Sequence, residues 1–199
     1  MAAFATLPEP ADVEIRRTAN LALLSALDEE RAASEDGLAL NVAYFDVRGW
    51  GLEDAELAQK EEFELLEKLA GAGWTTDAAE EVLEEHFSDY SELGGFDPGM
   101  GAAVYALSAA GATPISSCNG GTIGQSHHSE TVPSILFAAG EGFRPELIME
   151  AAGEAGLGVI PNREFAEIFA DQVLKFNDFS VRLIAALKAS AISPKSVGQ

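Results

Sequence analysis

Side chains able to do chemistry are concentrated in one stretch of the chain, between residues 113 and 130. This stretch holds the only cysteine and two of the three histidines, and a serine pair precedes the thiol. An asparagine and two glycines follow the thiol directly. We expect the functional site to lie here, with these candidate residues: Ser116, Ser117, Cys118, Asn119, Gly120, Gly121, His127, His128 and Glu130.

Cys118 ends an apolar run that predicts a strand, and a glycine turn follows it. Turn amides that point at the sulfur would favour the thiolate, and His127 or His128 would then act as the general base of an enzyme. In the alternative interpretation, Cys118 is a small buried residue at the end of a core strand, where unoxidised cysteine often lies. The spacing of these three residues is typical of no one catalytic family, so both interpretations stay open.

The same residues include types that bind zinc, namely thiol, imidazole and carboxylate. His127 and His128 are adjacent, and neighbouring side chains on a strand point to opposite faces, so only one of them would reach a given ion. The spacing matches no structural zinc pattern. We therefore predict no metal site, and the sequence indicates no particular cofactor.

A binding turn is the third interpretation of this stretch. Ser116, Ser117 and Asn119 supply short donors and acceptors, and Gly120 and Gly121 allow a close backbone approach that a side chain would block. Successive amides in such a turn can form an anion-binding concavity. The alternative is an ordinary hairpin connection whose polar side chains are satisfied locally.

A wider pattern surrounds this turn and resembles a pattern in uncharacterised bacterial and phage proteins. It comprises Asp97, Pro98, Val104, Leu107, Ala110, Gly111, Thr113, Ser116, Ser117, Cys118, Gly120, His128, Pro133 and Phe137. The serine–cysteine segment is also distantly similar to that of the tRNA wybutosine-synthesising protein 3 family, whose members are S-adenosylmethionine-dependent tRNA methyltransferases. The resemblance implies a pocket at residues 116–118 and Gly120. It does not extend to methyl transfer, because Asn119 and Gly121 stand where that family has Ser and Arg.

The charge of the chain is strongly negative and unevenly distributed. Its 199 residues include 33 acidic and 12 basic side chains, for a net charge of −21. Residues 28–92 alone contain 20 acidic and 4 basic residues. This balance opposes binding to nucleic acid or to an anionic membrane. The acidic helices either dock on a basic protein partner or form a solvated face that keeps the protein soluble.

Apolar periodicity predicts the elements. Residues 11–34 should form a helix with a stripe at Ile15, Ala19, Leu23 and Leu27, and residues 38–47 a strand. Further helices are expected at 52–70, 77–87, 97–111, 144–156 and 161–189, and strands at 113–118, 133–138 and 157–160. The last helix should be long, with apolar residues at Phe165, Ile168, Phe169 and Val173 on one face.

These elements predict an α+β fold: a small, mostly antiparallel sheet layered with helices, with a helical N-terminal part and a long C-terminal helix. Residues 1–92 form an acidic, mainly helical part with one strand, residues 97–189 an α+β unit with the candidate site, and residues 190–199 a loose tail. The first two parts can also be interpreted as one continuous domain.

We expect a soluble binding or accessory protein that uses the turn and its histidines to hold a small-molecule ligand or a protein partner. An enzyme with Cys118 as nucleophile is one alternative. An acidic inhibitor or immunity-type protein that blocks a basic surface is the other. A cytoplasmic location is expected, because one cysteine forms no internal disulfide and residues 1–10 lack the pattern of a signal peptide.

Overall fold

A computed structural model describes residues 10–27, 46–74, 77–88, 93, 95–121, 123 and 131–192. Five α-helices and four β-strands lie in this part of the chain. In chain order they are α1 Leu52–Ala72, α2 Asp77–Ser88, α3 Gly101–Ala109, β1 Ala112–Cys118, β2 Ser134–Ala139, α4 Pro145–Ala155, β3 Gly158–Asn162, β4 Phe165–Phe169 and α5 Leu174–Ile192.

The four strands form one antiparallel sheet in the order β1-β2-β4-β3. Burial alternates along its central strands: Ile135 and Phe137 on β2 are buried, as are Ala166 and Ile168 on β4, while the residues between them are half-buried. Such alternation is typical of an antiparallel sheet that packs one face on the core. This sheet and its helices confirm the predicted α+β class.

Strands β1 and β2 pair around the candidate site. Ser116 lies opposite Leu136, and Cys118 lies opposite Ser134. The register shifts between Pro114 and Ser116, which leaves one extra residue on β1. Proline lacks a backbone donor, and strands accommodate it at such irregular positions. The predicted pairing of the two strands on either side of the glycine turn is therefore confirmed.

Helix α3 is the central helix of the packing. Every residue from Gly101 to Ser108 is buried, because α1 and α5 both pack on this helix and β1 follows it directly. Its small side chains permit this close approach, and a Cβ added to Gly101 would lie 2.5 Å from the Leu93 side chain and 3.6 Å from that of Phe96. A helix that is apolar all round belongs in the interior of a protein. The first turn of α3 is therefore cut off from water.

Helices α1 and α2 confirm two predicted elements and form the acidic part of the fold. Asp54 on the first turn of α1 accepts a hydrogen bond from the backbone N–H of Gly51, at 2.7 Å. Gly73 ends the helix in the left-handed conformation, at φ 88°. Both features are common helix-terminating devices. The division of the chain at residues 92 and 97 stays a prediction.

Two predicted helices are wrong, in whole or in part. In the helix predicted at 11–34, residues 28–34 lie outside the described residues. Residues 11–27 form a short 3₁₀ turn at Leu21–Leu23 and isolated β-bridges at Arg17 and Ala26, and Leu23 is 78% exposed instead of facing a core. The predicted helix 161–189 begins only at Leu174, because Phe165–Phe169 forms strand β4. The helix expected at 97–111 begins at Gly101, after a turn. Most of the strand predicted at 38–47 lies outside the described residues, and residues 46–47 are not in a strand.

Candidate functional site

The turn after β1 is held by hydrogen bonds that its own backbone amides donate. The N–H of Asn119 donates to Asp97 Oδ2 at 3.1 Å, and the N–H of Gly120 donates to Cys118 Sγ at 3.3 Å. The N–H of Gly121 donates to Asn119 Oδ1 at 2.9 Å. All three amides therefore have acceptors within the protein. In this conformation the turn is a locally satisfied connection, and not an open anion-binding concavity.

Cys118 lies in the interior, with 4% of its surface exposed. Its sulfur accepts the Gly120 amide at the end of β1. Burial hinders the approach of an electrophile to this sulfur. These features match the buried-core interpretation of Cys118 more closely than the nucleophile interpretation.

Asn119 is completely buried and links three segments of the chain. Its Nδ2 donates to the carbonyl of Ile123 at 2.8 Å and to that of Pro98 at 3.4 Å. Its Oδ1 accepts the Gly121 amide. A buried amide side chain is costly unless its donors and acceptors are matched, and here both ends are matched. Asn119 thus fixes the turn to the segment that precedes α3.

Gly120 is required by geometry. Its φ is +71°, and a Cβ placed on it would lie 2.9 Å from the backbone nitrogen of Pro133. The close approach that glycine permits here is thus to the chain returning into β2. Residues 120 and 133 together close the base of the connection between the two strands.

The structure brings Cys118, Asn119, Gly120 and Gly121 together in this turn, and it places Ser116 and Ser117 half-buried on β1. Strand β1 is an outer strand of the described sheet. His127, His128 and Glu130 lie outside the described residues, so their predicted roles stay predictions.

Glu62 on α1 is the residue that sequence reasoning missed. It is 1% exposed, and its carboxylate lies at the start of α3. The backbone N–H groups of Gly99, Gly101 and Ala102 donate to it at 2.8, 3.3 and 2.7 Å. The first amides of a helix have no partner within the helix, and a carboxylate there also meets the positive end of the helix dipole. Glu62 therefore caps α3 from a neighbouring helix.

Burial and hydrogen bonding act on Glu62 in opposite directions. Burial disfavours the charged form and raises the pKa of the Glu62 carboxyl to about 7, although the backbone N–H groups of residues 99–102 lower it. The Glu62 carboxyl therefore changes its protonation state near neutral pH.

One signal in the sequence could have indicated the position of Glu62. The buried residues of α1 include Ala58, Leu65, Leu66 and Leu69. Glu62 follows Ala58 by four residues and precedes Leu66 by four, so it lies on the apolar face. A glutamate in that position is a candidate for burial, but its acidic neighbours mask the signal.

A cleft of about 240 Å³ lies between α1 and α2. Its lining consists of Glu61, Glu64, Leu65, Lys68, Val82, Glu85, His86 and Leu93. His86 also lies with Nε2 3.4 Å from the carbonyl oxygen of Phe96. The cleft combines an apolar wall with three glutamates and one lysine, Lys68, so acidic groups outnumber basic ones and the lining suits a cationic group with an aliphatic stem.

Comparison with protein-family models finds no match to this chain, and comparisons with curated proteins and with solved structures find none either. The resemblance to the wybutosine-synthesis family therefore stays a prediction. Within the described ranges, no three acidic, histidine or cysteine side chains are grouped so as to hold a metal ion. None of the described helices is long and apolar enough to cross a bilayer.

Proposed function

We propose that this protein is a binding protein whose contact region, residues 116–130, comprises the end of β1 and most of the connection from β1 to β2. The supporting observation is that both ends of this connection are fixed. Asn119 is bonded to Pro98 and Ile123, and Gly120 lies against Pro133. Binding residues are commonly found on loops that a rigid scaffold positions.

The residue types of this connection favour a polar ligand. Ser116 and Ser117 are half-buried at its beginning, and the sequence places His127, His128 and Glu130 in its second half. Hydroxyl and imidazole groups both donate and accept hydrogen bonds, and an ionised carboxylate accepts them. The amides of residues 119–121 already have acceptors, so side chains make the contacts with the ligand at this end of the connection.

Heteronuclear NMR on the full chain tests this proposal. Inorganic phosphate, S-adenosylmethionine and a lysine-rich peptide are titrated separately. At least one probe should shift the resonances of Ser116, Ser117 and Gly121. A variant with both His127→Ala and His128→Ala should lose this response, whereas His86→Ala, the third histidine, should keep it. No shift with any probe, or equal shifts in the double variant, contradicts the proposal.

A second candidate function is docking of a basic protein partner, and the cleft between α1 and α2 favours it. Glu61, Glu64 and Glu85 line this cleft beside the apolar side chains of Leu65 and Val82. A lysine or arginine side chain can place its stem on such a wall and its charge among the carboxylates. The cleft thus gives the acidic helices a specific place of contact.

Two matched triple variants test the second candidate. Glu61→Gln, Glu64→Gln and Glu85→Gln together remove three charges from the cleft. Glu80→Gln, Glu81→Gln and Glu84→Gln remove three charges from α2 outside the cleft lining. The cleft variant should bind the lysine-rich peptide at least tenfold more weakly, about 1.4 kcal/mol, and the control should change much less. Equal losses would indicate diffuse electrostatic attraction instead, which salt screens.

The enzyme alternative depends on whether Cys118 reacts. Because its sulfur is buried, we expect iodoacetamide to alkylate it more slowly than it alkylates an unstructured thiol peptide at neutral pH. A faster rate would favour the nucleophile interpretation, and a slower rate the structural one.

A further inference from the structure

We propose that Glu62 is a positioning residue for the proposed binding turn, and that a proton on its carboxyl loosens the hold of α1 on the turn through residues 97–102. The inference concerns regulation of the site and, in that respect, rests on the proposed function. The physical coupling itself exists without any ligand.

The first step is the contact between α1 and the start of α3. One oxygen of Glu62 accepts the N–H of Gly99 and of Gly101, and the other accepts that of Ala102. An ionised carboxylate accepts through both oxygens, whereas protonation turns one oxygen into an O–H donor with a reduced capacity to accept. A proton therefore weakens the hydrogen bonds of one oxygen to this segment.

The second step is the contact between the same segment and the turn. Asp97 Oδ2 accepts the amide of Asn119, and the carbonyl of Pro98 accepts its side-chain Nδ2. Asp97 and Pro98 directly precede Gly99, which donates to Glu62. A displacement of this short segment therefore alters both bonds to Asn119. Asn119 in turn holds Gly121 and Ile123.

Close packing around residues 97–102 makes this segment a defined connection between Glu62 and the turn after β1. Gly99 has φ +90°, and a Cβ on it would lie 2.6 Å from the Val173 side chain. The residue before it is proline, and Met100 after it is fully buried. A segment so enclosed moves between discrete packing arrangements more readily than it deforms continuously.

Other titratable or charged groups lie on the elements that pack against α1. On α5, Lys175 pairs with Asp171, Arg182 with Asp178 and Glu154, and Lys188 with Glu56. On α2 they are Asp77, Glu80, Glu81, Glu84, Glu85 and His86, and Asp97 lies in the segment itself. Helix α3 contributes Tyr105. Burial is the largest cause of the raised Glu62 pKa, and the backbone amides of residues 99–102 oppose it.

The test is a pH titration of the ligand-free, full-length protein by heteronuclear NMR. The side-chain carboxyl carbon of Glu62 and the amides of Gly99, Ala102, Asn119 and Gly121 are followed through the neutral range. We expect all five resonances to shift with one shared midpoint. In Glu62→Gln the four amide shifts should disappear, whereas Glu67→Gln, at an exposed position of α1 outside the cleft lining, should preserve them.

Two results overturn the proposal. In the first, Gly99 and Ala102 follow the Glu62 carboxyl, but Asn119 and Gly121 do not. In the second, no resonance titrates with the carboxyl. If Glu62→Gln fails to fold, comparing the midpoints of the carboxyl and the amides within the wild-type protein still decides whether the turn follows Glu62. Because no ligand is present, these results are independent of whether residues 116–130 bind one.

Discussion

Glu62 shows at the scale of one residue how position decides the behaviour of a carboxyl group. Its burial opposes ionisation, while the amides at the start of α3 favour it. The balance leaves a raised pKa, so the folded protein holds the proton more tightly than the unfolded chain does. A group of this kind stabilises the fold fully below its unfolded pKa and loses that contribution as the pH rises through its folded value.

The first prediction concerns the pH dependence of stability. The carboxyl pKa rises from 4.5 to about 7 on folding. Between about pH 5 and about pH 8, wild-type protein should therefore lose about 2–3 kcal/mol of unfolding free energy that Glu62→Gln does not lose. Urea denaturation of both proteins at several pH values measures their free energies of unfolding.

Comparison of the two proteins matters because other carboxylates also titrate. The difference in unfolding free energy between wild type and Glu62→Gln isolates the one group, and Glu67→Gln on the exposed side of α1 serves as the control. A difference that stays constant across this pH range, or grows with rising pH, contradicts the raised pKa.

The second prediction concerns Gly120 and uses Gly142 as a matched control. Both have φ +71°, but a Cβ on Gly142 would have no atom within 4 Å, whereas one on Gly120 would meet Pro133. Gly142→Ala should cost about 1 kcal/mol for the left-handed backbone. Gly120→Ala should cost about 1–3 kcal/mol more because of overpacking. Equal changes in the thermal midpoint would show that Pro133 yields without cost.

At the scale of elements, the sequence predicts those whose signals are local. Helices α1 and α2 have acidic first turns and helical periodicity, and glycines end α1. Strands β1 and β2 are separated by glycines and were predicted nearly to their ends. The turn at the start of this connection could be predicted for the same reason, since glycine and asparagine mark turns, whereas its role as a site stays a prediction.

Strand β4 could not be predicted in this way, because two periods fit the same residues. Phe165, Ile168 and Phe169 match a helical stripe that continues into α5, whereas Ala166 and Ile168 match the alternation of a strand. Pairing with both β2 and β3 decides for the strand. Residues 16–19 were misassigned for a similar reason: their backbone bonds to Val159 on the outer edge of β3. Such pairings join distant parts of the chain and leave no local pattern.

The third prediction tests the hairpin between β3 and β4. Arg163 lies in its turn with φ 56°, a conformation that costs a residue other than glycine about 1 kcal/mol. Arg163→Gly should therefore raise the denaturation midpoint, by the equivalent of about 0.5–1 kcal/mol, with an unchanged m-value. Arg163→Ala removes the same side chain but keeps the strain, so it should change little. A gain of equal size in both variants would point to the arginine side chain instead.

In the molecule as a whole, most of the net negative charge belongs to residues 28–92. Several cations outside this part pair with acidic neighbours, as Lys175 does with Asp171 and Arg182 with Asp178. Helix α2 has one histidine and five acidic residues among its twelve. Like charges on one helix repel each other and raise the energy of the compact state. A surface of this kind suits a cationic partner, which would relieve the repulsion.

The fourth prediction measures this repulsion through Glu84, an exposed residue of α2 four positions after Glu80. Glu84→Lys replaces a like-charge pair with a favourable one and places a cation near the end of the helix. It should stabilise the protein by about 0.5–1 kcal/mol at low ionic strength. The gain corresponds to a thermal midpoint higher by about 1–4 °C for a chain of this size. Glu84→Gln, which only removes the charge, should give about half of it.

Salt separates this electrostatic effect from helix propensity. Raising monovalent salt from about 0.01 M to about 0.1 M shortens the Debye length from about 30 Å to about 10 Å. The thermal midpoint of the wild type should then rise, and the advantage of Glu84→Lys should shrink, because screening weakens repulsion and attraction alike. An advantage that is independent of salt would show that propensity, and not charge, sets the stability of α2. The acidic helices would then be a tolerated solvated face, and the case for a basic partner would depend on the cleft alone.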